Sequence, residues 1–211
     1  MKITKIGHSC LVIEENGVRI LTDPGSYTTT QNRLTNIDAV LITHDHQDHC
    51  DINSIKIILV NNPGVEIITN PEVQAKLTAE GIAASLLEDA QTKKIKGVTI
   101  QGFGKKHAVV YPELPIAVNV GYLIAGRLFH PGDSYTVPTT PVEILAVPAG
   151  GPWHKLSESI DYAKLVKPKT AFPIHNAMFK DPKSTGHWQE RFLTDAGINY
   201  IFIPDGESAE F

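Results

Sequence analysis

Cysteine is scarce in this sequence, with two residues among 211. Cys10 and Cys50 cannot supply a disulfide scaffold, and so low a count agrees with a reducing compartment. Long apolar runs are missing as well. None approaches the ~18 residues that a membrane span requires. The stretch from Met1 to Glu15 holds only the short run Cys10 to Ile13, too brief for a signal-peptide core, so the expected compartment is the cytoplasm. There is no basic excess either: 19 Lys and Arg against 23 Asp and Glu leave a formal net charge of −4. Nucleic acid is therefore not an expected partner, since neutralising phosphates needs clustered Lys and Arg. The densest basic cluster, Lys93, Lys94 and Lys96, reads as a solvated face. Disorder is excluded as the main state, because 42% of residues are hydrophobic and only 20% charged. No Pro/Gly/Ser-rich linker divides the chain, so residues 1–211 are expected to form one domain.

What is present is a β-rich pattern with interspersed helices. Lys2 to Ile6, Cys10 to Glu14 and Val18 to Thr22 read as strands, the last two joined by the hairpin signal Asn16-Gly17. Ala39 to Thr43 is a short, continuous apolar run, as in a strand buried on both faces. A helix is expected over about Asp51 to Val60, a strand over Val65 to Thr69, and a second helix opened by Asn70-Pro71 and closed by Gly81. Later come strands at Val98 to Phe103, Val120 to Ile124, Arg127 to His130, Val142 to Val147 and Thr170 to Ile174. A helix capped by Ser157 is expected to run to Val166, another from Trp188 to Ala196, and a final strand over Tyr200 to Ile203.

The two halves echo each other. Gly17 to Gly25 resembles Gly126 to Asp133, and Ile37 to Thr43 resembles Val142 to Pro148. Two similar β-rich halves carrying helices predict two face-to-face sheets with helices outside, an α/β fold with an internal pseudo-two-fold repeat.

Nine histidines are present, and His44, His46 and His49 fall within six residues. They belong to His44-Asp45-His46-Gln47-Asp48-His49, directly after the apolar run Ala39 to Thr43. Strand-end residues can point into a cleft while the strand holds them. One tetrahedral ion cannot easily take four donors from six residues. A tight turn could instead send His44 and His46 to one ion and Asp48 and His49 to a second. Imidazole with carboxylate suits zinc, manganese or iron. His107, Asp133 and His175 also follow strands and could reach the same sheet edge. Cys50 beside His49 and Cys10 on its strand read as packed thiols.

Gly7-His8-Ser9, Thr22-Asp23-Pro24, Leu41 to His49, Phe129-His130-Pro131-Gly132-Asp133-Ser134 and Pro173-Ile174-His175-Asn176 together resemble the metallo-β-lactamase superfamily. Within it, the chain looks like the small branch that includes ascorbate-6-phosphate lactonase-like proteins. The resemblance spans nearly the whole chain. It implies a four-layer αβ/βα sandwich and a hydrolase with two divalent ions, Zn or Mn, with Fe also compatible. It further implies that His44, His46 and a third histidine hold one ion, that Asp48, His49 and His175 hold the other, and that Asp133 bridges both. His107 is the expected third histidine, with His130 and His154 as rivals. A water between two dications has its pKa lowered from ~15.7 toward ~7 and can attack a carbonyl carbon or phosphorus. Asp48 would orient it and accept its proton. His8, Asp23 and His130 are expected to support the ligands from behind. Ala149 to His154 follows the strand that mirrors Ala39 to Thr43, so Trp153 and His154 are expected to face a small-molecule substrate, with His154 as a proton donor to the leaving group. His187 reads as helix surface.

The leading expectation is hydrolysis of a small ester, lactone or phosphodiester. Iron-dependent oxygen or sulfur chemistry on the same fold is one alternative, although the flavodiiron pattern has Glu where His46 stands. A non-catalytic metal-binding module is another. Substrate and oligomeric state are not legible in the sequence.

Overall fold

The computed structural model describes residues 1–184 and 186–211. Among the described residues, fourteen strands form two seven-stranded sheets. The first half supplies β1 (Lys2–Gly7), β2 (Cys10–Glu15), β3 (Val18–Thr22), β4 (Ala39–Leu41), β5 (Glu66–Thr69) and β6 (Ser85–Leu86). The second supplies β7 (Thr92–Ile95), β8 (Val98–Phe103), β9 (Gly121–Ile124), β10 (Leu128–His130), β11 (Ile144–Pro148), β12 (Thr170–Ile174) and β13 (Asn199–Tyr200). The last strand, β14 (Ser208–Glu210), returns to pair with β1. Helices α1 (Ile52–Asn61), α2 (Pro71–Ala79), α3 (Leu156–Val166) and α4 (Gly186–Thr194) complete the described elements, with a 3₁₀ turn at Thr30–Arg33.

The sheet orders are β14-β1-β2-β3-β4-β5-β6 and β7-β8-β9-β10-β11-β12-β13. Read side by side, they match strand for strand. In each, the first three pairings are antiparallel and the last three parallel. The expected repeat is thus a repeat of topology. It makes β1 equivalent to β8, β3 to β10, β4 to β11 and β5 to β12.

Alternation in β2 shows how the layers arise. Leu11 and Ile13 point between the sheets, where they meet Ile100, Tyr122, Ile124 and Phe172. Val12 points outward beneath Ile55, Ile58 and Val73 of α1 and α2. On the second sheet, Leu145 and Val147 face Ile160 and Ala163 of α3 and Leu193 of α4. Each sheet is apolar on both faces because one is covered by its twin and the other by helices. This is the four-layer αβ/βα sandwich.

Several local expectations hold and some shift. Asn16 and Gly17 take positive φ (51° and 77°), as a tight hairpin turn demands. Asp51 caps α1 through Ser54 N–H, and Asn70 caps α2 through Glu72 and Val73 N–H. Ser157 is not a cap: α3 starts at Leu156 after Lys155, which makes no side-chain cap bond. The expected final strand over Tyr200 to Ile203 is displaced to Asn199–Tyr200, and β14 forms outside the expected strands. The lysine cluster lies on and just after β7, an edge strand, where Lys protects against edge-to-edge pairing. No helix among the described residues is long and apolar enough to cross a membrane.

Candidate metal centre

The loop between β4 and α1 is pinned before it presents any ligand. Ser26 N–H donates to the Gln47 carbonyl (2.9 Å), and the amides of His49 and Cys50 donate to the His46 carbonyl at 3.0 and 2.8 Å. Gly25 lets the chain after β3 run against this turn: a Cβ there would fall 1.7 Å from the Asp48 carbonyl oxygen. Strain gathers at the same sheet edge. His8, Asp23 and His175 all have positive φ (54°, 40° and 59°), a conformation costly for non-glycine residues and typical of functional sites.

Two groups of donors converge. His44, His46, His107 and Asp133 form one; His8, Asp48, His49 and His175 form the other, and within each the donor atoms lie within 4.8 Å of one another. Asp133 stands between them. Its Oδ1 lies 3.1 Å from His49 Nε2, and its Oδ2 lies 2.9 Å from His175 Nε2, 3.3 Å from His107 Nε2 and 3.8 Å from His44 Nε2. Of the rivals to His107, His130 is committed elsewhere. Its Nε2–H donates to the Ser9 carbonyl (2.9 Å) and its Nδ1 accepts from Gly132 N–H (3.2 Å). His130 Nε2 lies 3.9 Å from Asp23 Oδ2, and the ring belongs to neither donor group. His154 belongs to neither group.

The far sides of the imidazoles are held. His49 Nδ1–H donates to Asp23 Oδ2 (2.8 Å). Thr43 Oγ1–H donates to the same oxygen (2.8 Å), so its lone pair accepts from His44 Nδ1–H (3.0 Å). His107 Nδ1–H donates to the Ala108 carbonyl. These bonds occupy Nδ1 of all three rings and leave each Nε2 facing Asp133. Asp23 therefore orients one ring of each group, and its side chain is taken up by Thr43 and His49 rather than by a local turn at Pro24.

His8 differs from the other members of its group. Ala177 N–H donates to its Nδ1 (3.4 Å), which puts the proton on Nε2, and Nε2–H donates to Asp48 Oδ2 (3.1 Å). His8 thus acts on Asp48 as an orienting donor.

The donor set suits divalent ions. His49 Nε2, His107 Nε2, Asp133 Oδ1 and both ring nitrogens of His175 are buried without a hydrogen-bond partner. An unmet buried polar atom costs about 1–3 kcal/mol. Five at one point mark a place built for a ligand. Burial alone would raise Asp133 and Asp48, but the surrounding imidazoles outweigh it and hold both carboxyls well below the usual range. Burial lowers His44 and His46, so those rings are neutral, and His44 Nε2 meets His46 Nδ1 at 3.2 Å. Burial would lower His49 and His175 too, but the carboxylates around them together outweigh it, Asp133 with Asp23 for His49 and Asp133 with Asp48 for His175, and both are pushed up. The cluster as a whole draws positive charge.

Two of the residues here were not legible as supports. Thr43 is the relay between His44 and Asp23; its only signal is its place directly before the histidine cluster. Trp153 was expected to face substrate. It is buried, and its indole N–H donates to Asp133 Oδ2 (3.0 Å), while its ring still walls a cavity of about 500 Å³ shared with His107, Ser134, Tyr135 and Thr136. Half-buried His154 is pushed by burial, and then by His175, down to about 4, so its imidazole is neutral at pH 7. Cys10 and Cys50 are buried free thiols, with Cys50 pushed up to about 12 by burial. His187 is exposed on α4.

The beta-lactamase superfamily domain matches residues 2–175. Protein Rv0786c of Mycobacterium tuberculosis is 34% identical over 216 residues, covering 100% of both chains. A UPF0173 metal-dependent hydrolase of Carboxydothermus hydrogenoformans is 26% identical, with 83% of this chain and 84% of that one covered. The structure of Igni18, a novel metallo hydrolase from Ignicoccus hospitalis, superposes with a TM-score of 0.76 at 22% identity, covering 100% and 98% of the two chains. That last likeness is one of fold.

Proposed function

The chain belongs to the beta-lactamase superfamily, and on that footing we propose that residues 1–211 form one domain that hydrolyses a small ester, lactone or phosphodiester with the help of two divalent ions. The observation that carries the reading is the convergence of unpartnered donors whose opposite faces are already hydrogen-bonded. His44, His46 and His107 would hold one ion, and Asp48, His49 and His175 the other, with Asp133 shared. Nitrogen and carboxylate donors in this number suit Zn²⁺ or Mn²⁺. Bound there, the ions would supply a water of lowered pKa and polarise the oxygen of the electrophile.

The remaining steps fall to the chain's own groups. Asp48, held by His8 at 3.1 Å and facing His175 at 3.3 Å, orients the attacking water and accepts its proton. Asp23, Thr43 and the Ala108 carbonyl keep the imidazoles aimed. Neutral His154 hydrogen-bonds the leaving group rather than protonating it. We place the reaction in the cytoplasm, in line with two buried free cysteines.

Elemental mass spectrometry on protein purified without a metal-binding tag tests the reading. Two ions of Zn or Mn per chain are expected. One iron per chain would favour oxygen or sulfur chemistry. No metal after reloading would overturn the catalytic assignment.

A further inference from the structure

Between His107 and Ala117 the chain leaves the sheet edge as a flap. Its base is closed by His107 N–H donating to the Ala117 carbonyl (3.0 Å), and it is tied to the site by Ala108 N–H donating to the Asp133 carbonyl (2.8 Å). A third anchor is Val118 N–H on Glu72 Oε2 (2.7 Å). Pro112 and Pro115 stiffen the tip, where Leu114 N–H turns back to the Tyr111 carbonyl (3.0 Å).

The composition of this flap is unusual for a surface loop. Val109, Val110, Tyr111, Leu114 and Ile116 are between 38% and 57% exposed, and Glu113 is the only charge among residues 109–116. A contiguous exposed apolar patch marks a binding site. Beneath the flap lies a slot of about 90 Å³ lined by Val110, Tyr111, Leu114 and Ile116 together with His46 and His107. The same two histidines belong to the first donor group. On the other side of His107 opens the larger cavity, about 500 Å³, where Lys106, Glu158, Ser134 and Thr136 make the wall polar. No arginine lines either cavity. Lys105, at the foot of the flap, is paired with Asp89 at 3.6 Å.

We propose that the slot under the flap takes the aliphatic acyl chain of an ester, and the polar cavity its alcohol. This rests on the hydrolase reading above and narrows its substrate class. The walls match the two parts of such a molecule: an apolar lobe under the flap and a hydroxyl-rich lobe beside it, the two sharing His107. The slot under the flap has no lysine or arginine in its wall to meet the charge of a phosphodiester. The slot equals about three water volumes, room for a chain of three or four carbons. In the reaction, the water oxygen adds to the acyl carbon and the bond from that carbon to the alcohol oxygen breaks. The alcohol leaves with one proton of the water, and the acid releases the other as H⁺.

The test uses the full chain reloaded with Zn²⁺. Hydrolysis of p-nitrophenyl acetate, butyrate, hexanoate and octanoate is compared with that of bis(p-nitrophenyl) phosphate. Binding of the sodium salts of the four acids is followed in parallel by calorimetry. Expected are a kcat/KM optimum at butyrate and a butyrate-to-acetate ratio that falls roughly tenfold in Leu114→Asp and in Ile116→Asn, mainly through KM. Both side chains are exposed, so folding should survive, and retention of two ions per chain checks it. A flat chain-length profile, or faster cleavage of the phosphodiester than of any ester, would overturn the proposal. If nothing is hydrolysed, the hydrolase reading fails on its own, and calorimetry decides the slot. Tighter binding of butyrate than acetate, lost in Leu114→Asp, upholds it; equal binding rejects it.

Discussion

Two buried aspartates follow equivalent strands: Asp23 comes directly after β3 and Asp133 shortly after β10. Both are carboxylates at the same sheet edge, and both touch His49, one from each side. Asp23 meets Nδ1 at 2.8 Å and is otherwise consumed by Thr43; Asp133 meets Nε2 at 3.1 Å and keeps Oδ1 unpartnered. The difference comes from the surroundings. Around Asp23 the protein supplies two N–H groups and an O–H to saturate the charge. Around Asp133 it supplies the Nε2 atoms of four imidazoles and a single indole N–H. One carboxylate is finished as a hydrogen-bond acceptor; the other is left for a cation.

This contrast can be broken at four points. The largest effect is expected from Asp133→Ala, which removes the atom pair shared by both donor groups. Elemental analysis should find both ions gone, and ester hydrolysis should vanish; intact activity would remove Asp133 from its bridging place. Next comes Asp48→Asn, which keeps the shape and the contact to His8 but cannot take a proton. Turnover should drop by about 10²- to 10⁴-fold while the melting temperature moves little. An unchanged rate would exclude Asp48 from proton transfer. Asp23→Asn strikes the carboxylate that works from behind. Metal affinity, measured by competition with a chelator, should weaken by about 10- to 100-fold with both ions still bindable at saturation. Equal losses in Asp23→Asn and Asp133→Ala would erase the distinction between the two.

The smallest effect is expected from Lys5, a buttress still further back. Its buried Nζ donates to Asn176 Oδ1 at 2.6 Å, beside His175. Burial lowers Lys5 from 10.5 to about 8, with Asp205 opposing. Below about pH 8 both folded and unfolded chains carry this proton, and burying the charge costs stability. Between about 8 and 10.5 the folded state has shed the proton and the unfolded state has not, so stability should rise with pH. The slope cannot exceed about 1.4 kcal/mol per pH unit for one proton. Urea midpoints across that window should show the rise in the wild type and its loss in Lys5→Met.

Much of the architecture was legible because the signals are local. The hairpin at Asn16-Gly17, the cap at Asn70-Pro71 and the strand Thr170–Ile174 each depend on neighbouring residues, and each forms as read. The failures lie where tertiary pairing overrides local preference. Ser157 is bypassed as a cap, while Ser159, two residues on, gives its hydroxyl to the Pro148 carbonyl. β14 exists because β1 offers an open edge, which no local pattern announces.

The candidate site divides in the same way. His44, His46, Asp48 and His49 share one turn, so chain connectivity alone puts them within reach of one another, and six consecutive residues declare it. His107, Asp133 and His175 were suspected from their places after strands, yet which ring faces which carboxylate depended on how the two sheets close. His49 meets Asp23 across 26 positions, His8 meets Asp48 across 40, and His130 is drawn away to Ser9 across 121. A hydrogen bond needs its partners placed to a fraction of an ångström, and over such separations only the packed core of the sandwich sets positions that closely. The sequence by itself determined a turn dense in metal-type donors on a repeated β-rich frame. The tertiary structure decided the Thr43–Asp23 relay, the inward turn of Trp153 and the apolar flap over His46 and His107, since each is a meeting of segments that the chain keeps far apart.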